Sequence, residues 1–441
     1  MAKPVYMKRF LVGLLIAASL VGLLWAGAVL LTRPAEPSGA AAAGPGPRGL
    51  SLVVGQARAS SPSSVDYDRL DARLQALMED PAMVGLAVAV VENGEIRFAR
   101  GYGETVAGSG EAVTTETVFR WASLSKGVAA DMVALLAHEN KLSLFEPVAR
   151  HAPSLRLPAG NEQRATVSDL LSHRLGLFAH AHDPKLEEGE DARMLRASMA
   201  TLQPICPPGS CHAYQNVAYD AASEIVEQVS GKTYPEAVRE RLFAPLGMYT
   251  ASATREGLMG ARSWARPHPG GRNSQPVEVT DSYYRVPAAG GVNGSIGDLA
   301  IWMLAQMGGA TDVLPVPVLR AVQNPRANTP GENARRRKYR ERTTAAAYGL
   351  GWRMFDYAGH RVVGHHGGVR GYRSLVMFDP VRRAGVVALW NSSASRPNGI
   401  EYEVMDMVYR LPFRDWLDID DRSLAAQPEP AAREDNEGGS G

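Results

Sequence analysis

The run Val118-Phe119-Arg120-Trp121-Ala122-Ser123-Leu124-Ser125-Lys126 stands between strand-like sequence on its amino-terminal side and a helical pattern on the other. It sets a hydroxyl and an amine three residues apart, and on a helix that spacing puts Ser123 and Lys126 on one face. A serine hydroxyl is a weak nucleophile at neutral pH, so an attacking serine needs a base within hydrogen-bond reach, and a desolvated lysine meets that need. Ser123 is the candidate nucleophile and Lys126 its base partner. Gly127 to His138 carries apolar residues at Val128, Met132, Leu135 and Leu136, which predicts a helix with one buried stripe. Ser123 then lies at a helix N-terminus, where free N–H groups and the helix dipole favour developing negative charge. Ser-x-x-Lys alone is a weak signal, since any long chain holds several by chance and most mark a capped, solvated helix start. Its company along the chain decides between the two.

Upstream, Val84 to Val91 is a continuous apolar run, followed by Glu92-Asn93-Gly94-Glu95 and then Ile96-Arg97-Phe98-Ala99-Arg100. Asn-Gly between two such runs is a strong hairpin signal. A helical pattern precedes the hairpin, from near Asp66 through Leu70, Leu74 and Leu77. From Lys126 to about Thr280 the pattern is mainly helical, including Val167 to His173 and Ala218 to Val229, which ends at Gly231. Beyond Ala288 strand-like runs return: Arg361 to His365, Ser374 to Phe378 and Gly385 to Trp390, the last two joined across the turn-forming pair Asp379-Pro380. Strands at both ends predict one sheet built from the two ends of the chain, from about 80–125 and 285–415. A mostly helical inserted domain at about 126–284 would lodge against it, with the site in the cleft between. The folded part is expected over 65–420, and the Pro-, Glu- and Gly-containing 421–441 reads as a disordered tail.

The first residues differ in kind. Phe10 to Thr32 contains no charge and follows Lys3, Lys8 and Arg9. A run of that length can span a bilayer, and the basic residues before it predict a cytoplasmic stub at 1–9 and an exported remainder. Residues 10–32 are read as an uncleaved transmembrane signal anchor, which makes the lipid bilayer a partner and places the catalytic part outside the cytoplasm, in a periplasm or its equivalent. The competing reading is a cleavable signal peptide, because Ala26-Gly27-Ala28 resembles a cleavage site. Residues 33–64, rich in Ala, Gly, Pro and Ser, read as a flexible linker. The 441 residues suffice for two or three ordinary domains or one large two-part enzyme. A net charge of +1 gives no electrostatic reason to expect nucleic acid.

The two cysteines lie in Cys206-Pro207-Pro208-Gly209-Ser210-Cys211, where a Pro/Gly turn can bring them together as a short-loop disulfide, in keeping with export; two buried free thiols are the alternative. With His212 they are too few for a metal site. Arg335 to Arg340 is a dense basic run, read as a solvated loop in preference to a contact with anionic polymer or headgroups.

Two further motifs accompany the serine. Tyr214-Gln215-Asn216 heads a helical segment: a tyrosine near a lysine can be held partly as phenolate and take the serine proton, while an asparagine amide can bind a substrate carbonyl or orient the lysine. Gly364-His365-His366-Gly367-Gly368 closes an apolar strand whose glycines let a substrate backbone approach. Solvated histidines or a metal pair are the bland alternatives, and metal is disfavoured because no further ligand cluster stands nearby.

In this order the three elements resemble those of the serine penicillin-recognising superfamily, the penicillin-binding proteins and serine β-lactamases. Tyr-x-Asn in the middle looks like the branch holding class C β-lactamases, D-alanyl-D-alanine carboxypeptidases, D-aminopeptidases and related esterases. Leu170-Leu171-Ser172-His173, Pro208-Gly209-Ser210, Gly290-Gly291-Val292 with Asp298-Leu299-Ala300, Tyr348-Gly349-Leu350-Gly351-Trp352 and Trp390-Asn391 extend the likeness from about Val84 to Asn391. The resemblance implies a β-lactamase/transpeptidase-like fold, an α/β sheet domain whose antiparallel sheet is flanked by helices plus a mostly helical inserted domain, and a serine hydrolase without metal or organic cofactor. Ser123 would be acylated, Lys126 and Tyr214 would share the acid and base work, and Asn216 would hold the substrate amide. His365, His366, Gly367 and Gly368 would line the substrate strand, with an oxyanion between the N–H groups of Ser123 and Gly368. The expected substrate is a cell-wall peptide or other small amide or ester with D-configured residues. A class C-like β-lactamase, a small-ester esterase and a catalytically silent wall-binding module are the alternatives. Two positions depart from the pattern. His365 stands where β-lactamases carry lysine, which leaves Arg370 or Arg373 to supply the charge, and Leu175 stands where serine is frequent.

Overall fold

The computed structural model describes residues 62–420. The predicted stub at 1–9, the anchor at 10–32, the linker as far as residue 61 and the tail at 421–441 lie outside the described residues. Among the described residues no helix is long and apolar enough to cross a membrane.

The described chain begins within the predicted linker, and Ser63 and Ser64 already belong to the fold. Ser63 Oγ donates to Glu92 at 2.7 Å and the Ser64 N–H at 2.6 Å. Helix α1 (Tyr67–Leu77) follows, its start fixed by Asp66, which accepts from the Arg69 N–H. Strands β1 (Gly85–Glu92) and β2 (Glu95–Gly103) form the expected hairpin. At its turn Asn93 and Gly94 have φ of 57° and 78°, the left-handed pair that matches strand twist.

Ten strands are present among the described residues, β1 and β2 being joined by β3 (Phe119–Arg120), β4 (Asn293–Gly294), β5 (Ala327–Asn328), β6 (Thr343–Tyr348), β7 (Arg353–Tyr357), β8 (His360–Val369), β9 (Tyr372–Asp379) and β10 (Ala384–Trp390). Eight of them make one sheet in the order β2-β1-β10-β9-β8-β7-β6-β5, and β3 pairs with β4. Every pairing is antiparallel, so the first hairpin closes against the last strand, with Val88 opposite Ala388. The turn after β9 is an Asp379 motif, its carboxylate accepting from the N–H groups of Val381 and Arg382.

Both faces of the sheet are covered. Helix α1 and a carboxy-terminal helix over Ile400–Tyr409 pack on Val88, Val90, Leu375 and Met377, while Ala87, Ala89, Val376 and Phe378 face the helical part. That is why β1 is buried at every position and reads as an unbroken apolar run rather than an alternating one.

Helix α2 (Ser125–His138) differs from its expected single stripe. It is buried on all sides from Ser125 to Leu136, as befits a helix running through the middle of a large domain. Gly127 shows how close its neighbours come: a Cβ there would lie 2.7 Å from the ring of Trp302, which stacks on Trp121 and Trp352. The predicted segments at 167–173 and 218–229 are helices α3 (Val167–Leu171) and α5 (Ala221–Ser230). A capping box of Thr166 and Asp169 starts α3, and left-handed Gly231 stops α5. Between them lies α4 (Asp183–Glu187), and after them α6 (Ile296–Gln306), a helix beyond Ala288 where strand-like sequence was expected.

The basic run is not a uniformly solvated loop. Arg336 bonds Tyr402 and His366 and lies 3.7 Å from Glu401, and Lys338 reaches the Trp416 carbonyl at 2.7 Å. Arg337 and Arg340 remain exposed.

Candidate active site

A short 3-10 turn, Ala122–Leu124, carries Ser123 into the start of α2. Ala122 has φ of 48°, a left-handed conformation that a non-glycine residue keeps only when its surroundings hold it. Ser125 does much of the holding: its Oγ donates to the Ala122 carbonyl at 2.6 Å and accepts from the Val292 N–H at 2.9 Å. Ser123 itself is half-buried at the surface of the turn.

Lys126 is fully buried. Its Nζ lies 2.6 Å from Asn216 Oδ1, 3.0 Å from the Ala289 carbonyl and 3.5 Å from Ser123 Oγ. Burial lowers its proton affinity most, so that it titrates at about 7; Arg353 lowers it further, while Asp183 and Asp220 oppose. Near neutral pH much of the lysine is therefore an uncharged amine with two N–H bonds and one lone pair. Asn216 and Ala289 take the two N–H bonds. The lone pair is left for Ser123.

Tyr214 corrects the expectation of a phenolate. Burial pushes its hydroxyl up to about 12, and the charge of Arg353 and a hydrogen bond with Ser123 offset only part of that rise. Tyr214 thus holds its proton at pH 7 and can donate it. The ring centroid lies 4.6 Å from Lys126 Nζ.

Asn216 has both ends engaged. Its oxygen accepts from Lys126 and its Nδ2 donates to Asp183 Oδ2 at 2.6 Å, so the amide is held between the lysine and a carboxylate and orients the amine.

The His-His-Gly-Gly strand separates into two faces because side chains alternate along β8. His365 points to the site side, where it is 4% exposed. Its Nδ1 donates to the His366 carbonyl at 2.6 Å and its Nε2 meets Tyr348 Oη at 3.1 Å. Tyr348 Oη also meets His173 Nε2 at 3.1 Å, and His173 Nδ1 accepts from the Gln215 N–H at 3.1 Å. That last bond fixes every direction in the chain. His173 carries its proton on Nε2 and gives it to Tyr348, and Tyr348 donates to His365. Burial holds both histidines well below their ordinary range, so both are neutral. His365 therefore supplies no positive charge in place of the lysine found in β-lactamases.

His366 faces away from Ser123, a correction to its place among substrate-binding residues. Its Nε2 donates to Glu401 at 2.8 Å and its Nδ1 accepts from Arg336 at 3.1 Å, on the side of the carboxy-terminal helix. Gly367 returns to the site face, packed so tightly that a Cβ would lie 2.2 Å from Ser374 Oγ, 2.4 Å from the Trp121 carbonyl and 3.1 Å from the Ser123 nitrogen. Gly368 is exposed beside it, with the Arg373 side chain lying against it. Arg373 donates to the carbonyls of Val369 and Tyr372, and Arg370 is exposed at the strand end.

The cation whose charge reaches Lys126, Tyr214, His173, His212 and His365 is a third arginine, Arg353. It lies 5.5 Å over the Tyr214 ring and pairs with Glu332. Sequence reasoning missed it, although it directly follows Trp352 of a quoted motif. It also missed His173 and Tyr348 as partners of the third motif, Ala289 as an acceptor, and Asp183, for which the sequence offered no signal.

Cys206 and Cys211 are joined by a disulfide with Cα atoms 6.3 Å apart, in the loop that leads into Tyr214. Leu175 is buried. Further along α2, Asp131 is fully buried and accepts from Trp302 Nε1 at 2.9 Å and Gln306 Nε2 at 2.6 Å; desolvation pushes its carboxyl up to about 7. Among the described residues no group of three or more His, Cys, Asp or Glu side chains is arranged to hold a metal ion.

A sequence profile described as Beta-lactamase matches residues 70–405. The unguisins hydrolase ungD of Aspergillus violaceofuscus is 25% identical over 395 residues, covering 81% of this chain and 67% of that protein. The D-alanyl-D-alanine-carboxypeptidase/endopeptidase AmpH of Escherichia coli is 30% identical over 231 residues, 50% of this chain and 56% of its own length. The matched stretches thus span between just over half and two thirds of these relatives. Among solved structures, the octameric penicillin-binding protein homologue from Pyrococcus abyssi superposes with a TM-score of 0.70 at 22% identity, over 79% of this chain and 78% of that one, a likeness of fold.

Proposed function

Since the chain belongs to the β-lactamase family of serine hydrolases, we propose that it works through a Ser123 acyl-enzyme on peptides or amides with D-configured residues, of the kind found in cell-wall peptides. The observation that carries this reading is the bonding of Lys126, whose neutral form has both N–H bonds taken and a lone pair toward Ser123. Ser123 Oγ attacks the acyl carbon as its proton passes to Lys126 Nζ. The carbonyl oxygen becomes an oxyanion between the N–H groups of Ser123 and Gly368, each such donor contributing about 3 kcal/mol to transition-state stabilisation. The C–N bond then breaks, the leaving nitrogen takes a proton from Tyr214, and Tyr214 is reprotonated from Lys126. Water repeats the sequence on the acyl-enzyme and frees Ser123.

D-configured substrates are supported by the activity in the name of the Escherichia coli relative. The neutral, fully bonded His365 favours a second reading on the same chemistry, a small-ester esterase, over a β-lactamase that needs a fixed charge there. A silent wall-binding module is disfavoured, since binding alone has no use for a buried neutral lysine beside a serine. Membrane anchoring and an extracytoplasmic site belong to the proposal too, supported by the uncharged run at 10–32 and the disulfide.

The test is exposure of the purified full-length chain to a fluorescent penicillin, with Ser123→Ala as control and intact mass followed over time. A lasting adduct on the wild type alone indicates a penicillin-binding peptidase, and rapid drug hydrolysis a β-lactamase. With neither, D-alanyl amides and p-nitrophenyl acetate are tried. Identical behaviour of wild type and Ser123→Ala across all of them sinks the serine-hydrolase reading.

A further inference from the structure

Seen from Lys126, the amide of Asn216 has two ends of nearly equal shape, and only its hydrogen-bond partners settle which one faces the amine. Lys126 Nζ has protons to give on that side, so it needs the oxygen. On the far side, Nδ2 needs an acceptor, and Asp183 Oδ2 provides one at 2.6 Å. Turned over, the amide would set N–H against the amine and carbonyl against carboxylate, two repulsive contacts in a buried site. The carboxylate of Asp183 is 7% exposed and also accepts from His180 Nδ1 at 2.8 Å, which leaves its second oxygen buried without a hydrogen-bond partner. The segment bringing it there is contorted: His180 and His182 have φ of 58° and 67°. The result is an unbroken series, His180 to Asp183 to Asn216 to Lys126 to Ser123.

We propose that Asp183 is a positioning residue of the acylation site, whose carboxylate fixes the Asn216 amide with its oxygen toward Lys126 and so aims the lysine at Ser123. The inference rests on the serine-hydrolase reading above. Asp183 acts through Asn216 and touches no reacting atom. It is also a charge near the lysine. The groups facing Lys126 are Asp183, Asp220, Arg353, Tyr214, Tyr219, His173 and His365, and those facing Asp183 besides Lys126 and Asn216 are His180, His182, Tyr214 and Tyr283. Loss of the Asp183 charge eases deprotonation of Lys126 and moves its titration down, whereas damage to the fold that lets water reach the amine moves it up, because burial is what lowers it most.

The experiment is the pH profile of kcat/KM for p-nitrophenyl acetate between about pH 5 and 10, the span in which such a lysine titrates, on the full-length chain. The proteins are wild type, Asp183→Asn and the double variant Asp183→Asn/Asn216→Asp. Asp183→Asn is expected to lose about 10- to 100-fold in rate, as for a broken bond to a charged group, and its acid limb moves to lower pH. In the double variant the new amide at 183 donates to the new carboxylate at 216, whose other oxygen accepts from Lys126. The bond between 183 and 216 is remade in the opposite direction while Lys126 still donates to an oxygen of 216, so rate at high pH recovers at least tenfold over Asp183→Asn, and the acid limb moves above that of the wild type because the charge now touches the amine. Rate loss in Asp183→Asn without a shifted limb, or a folded double variant whose limb matches the wild type, overturns the inference. If Asp183→Asn does not fold, the rate of a folded double variant at high pH decides: a rate within about tenfold of the wild type is expected, and a larger loss overturns the inference. Absence of any Ser123-dependent hydrolysis by the wild type is a different failure, that of the serine-hydrolase reading, and the inference falls with it.

Discussion

Gly367→Ala puts one methyl group between the nucleophile turn and the strand that faces it. The new Cβ would lie 2.2 Å from Ser374 Oγ and 2.4 Å from the Trp121 carbonyl, where ordinary contact begins near 3.4 Å. Neither oxygen can swing away, because Ser374 Oγ is itself bonded to the Trp121 carbonyl at 2.7 Å and both are buried. Strand β8 must therefore retreat by about 1 Å, carrying the Gly368 N–H with it. Misplacement of that size costs about 100-fold in rate, and full loss of one oxyanion donor about 100- to 1,000-fold. Overpacking costs about 1–3 kcal/mol of stability, which leaves a domain of this size folded. The assay is kcat for p-nitrophenyl acetate across pH, beside thermal unfolding. Expected is a fall of about 100-fold in kcat with the acid limb unmoved, since Lys126 keeps its partners. A folded variant with kcat within about twofold of the wild type, well short of that loss, would refute the argument that Gly367 sets the distance between strand and serine.

Two other perturbations probe the buried charges. In the wild type the acid limb of kcat/KM is expected near pH 7, where Lys126 gives up its proton; Arg353→Gln removes a cation that favours the neutral amine, so the limb moves to higher pH and activity at pH 6 falls more than at pH 9. Asp131 has a folded-state value of about 7 against an ordinary 3.8, so the native state holds a proton that the unfolded chain has lost between those values. Stability thus falls as pH rises from about 4 to 7, by up to roughly 4 kcal/mol at 1.36 per unit. Asp131→Asn should flatten that slope in denaturant unfolding and stabilise at pH 8; an unchanged slope rules out Asp131 as its source.

Ser123 and Lys126 were legible because their pairing is local, three residues on one turn. The first hairpin was legible because Asn93-Gly94 encodes its own turn. Residues joined only by the fold were not. His365 and His366 are the same residue type, and nothing in Gly364 to Gly368 gives the phase of the strand, yet that phase puts one on the wire to Tyr348 and the other on Glu401. Asp183 meets Asn216 across 33 residues of short helices and connecting loops. The all-round burial of α2 was hidden because Ser125, Lys126, Gly127 and Asp131 are polar or small in sequence and find partners only in the folded protein. Arg353 opens the five-residue strand β7, too short for alternation to declare a face.

The closure of β1 on β10 has a consequence for how the protein is made. At usual rates of synthesis, about 5–20 residues per second, the hairpin and the serine wait roughly 15 to 60 s for the strands that complete the sheet. During that interval the apolar edge of β1 has no neighbour on the β10 side, the kind of edge that invites pairing with another chain. Ser123 meanwhile lacks Gly367 and Gly368. A ribosome-bound chain therefore carries its nucleophile without the apparatus that makes it reactive, and it is more exposed to aggregation than to premature chemistry.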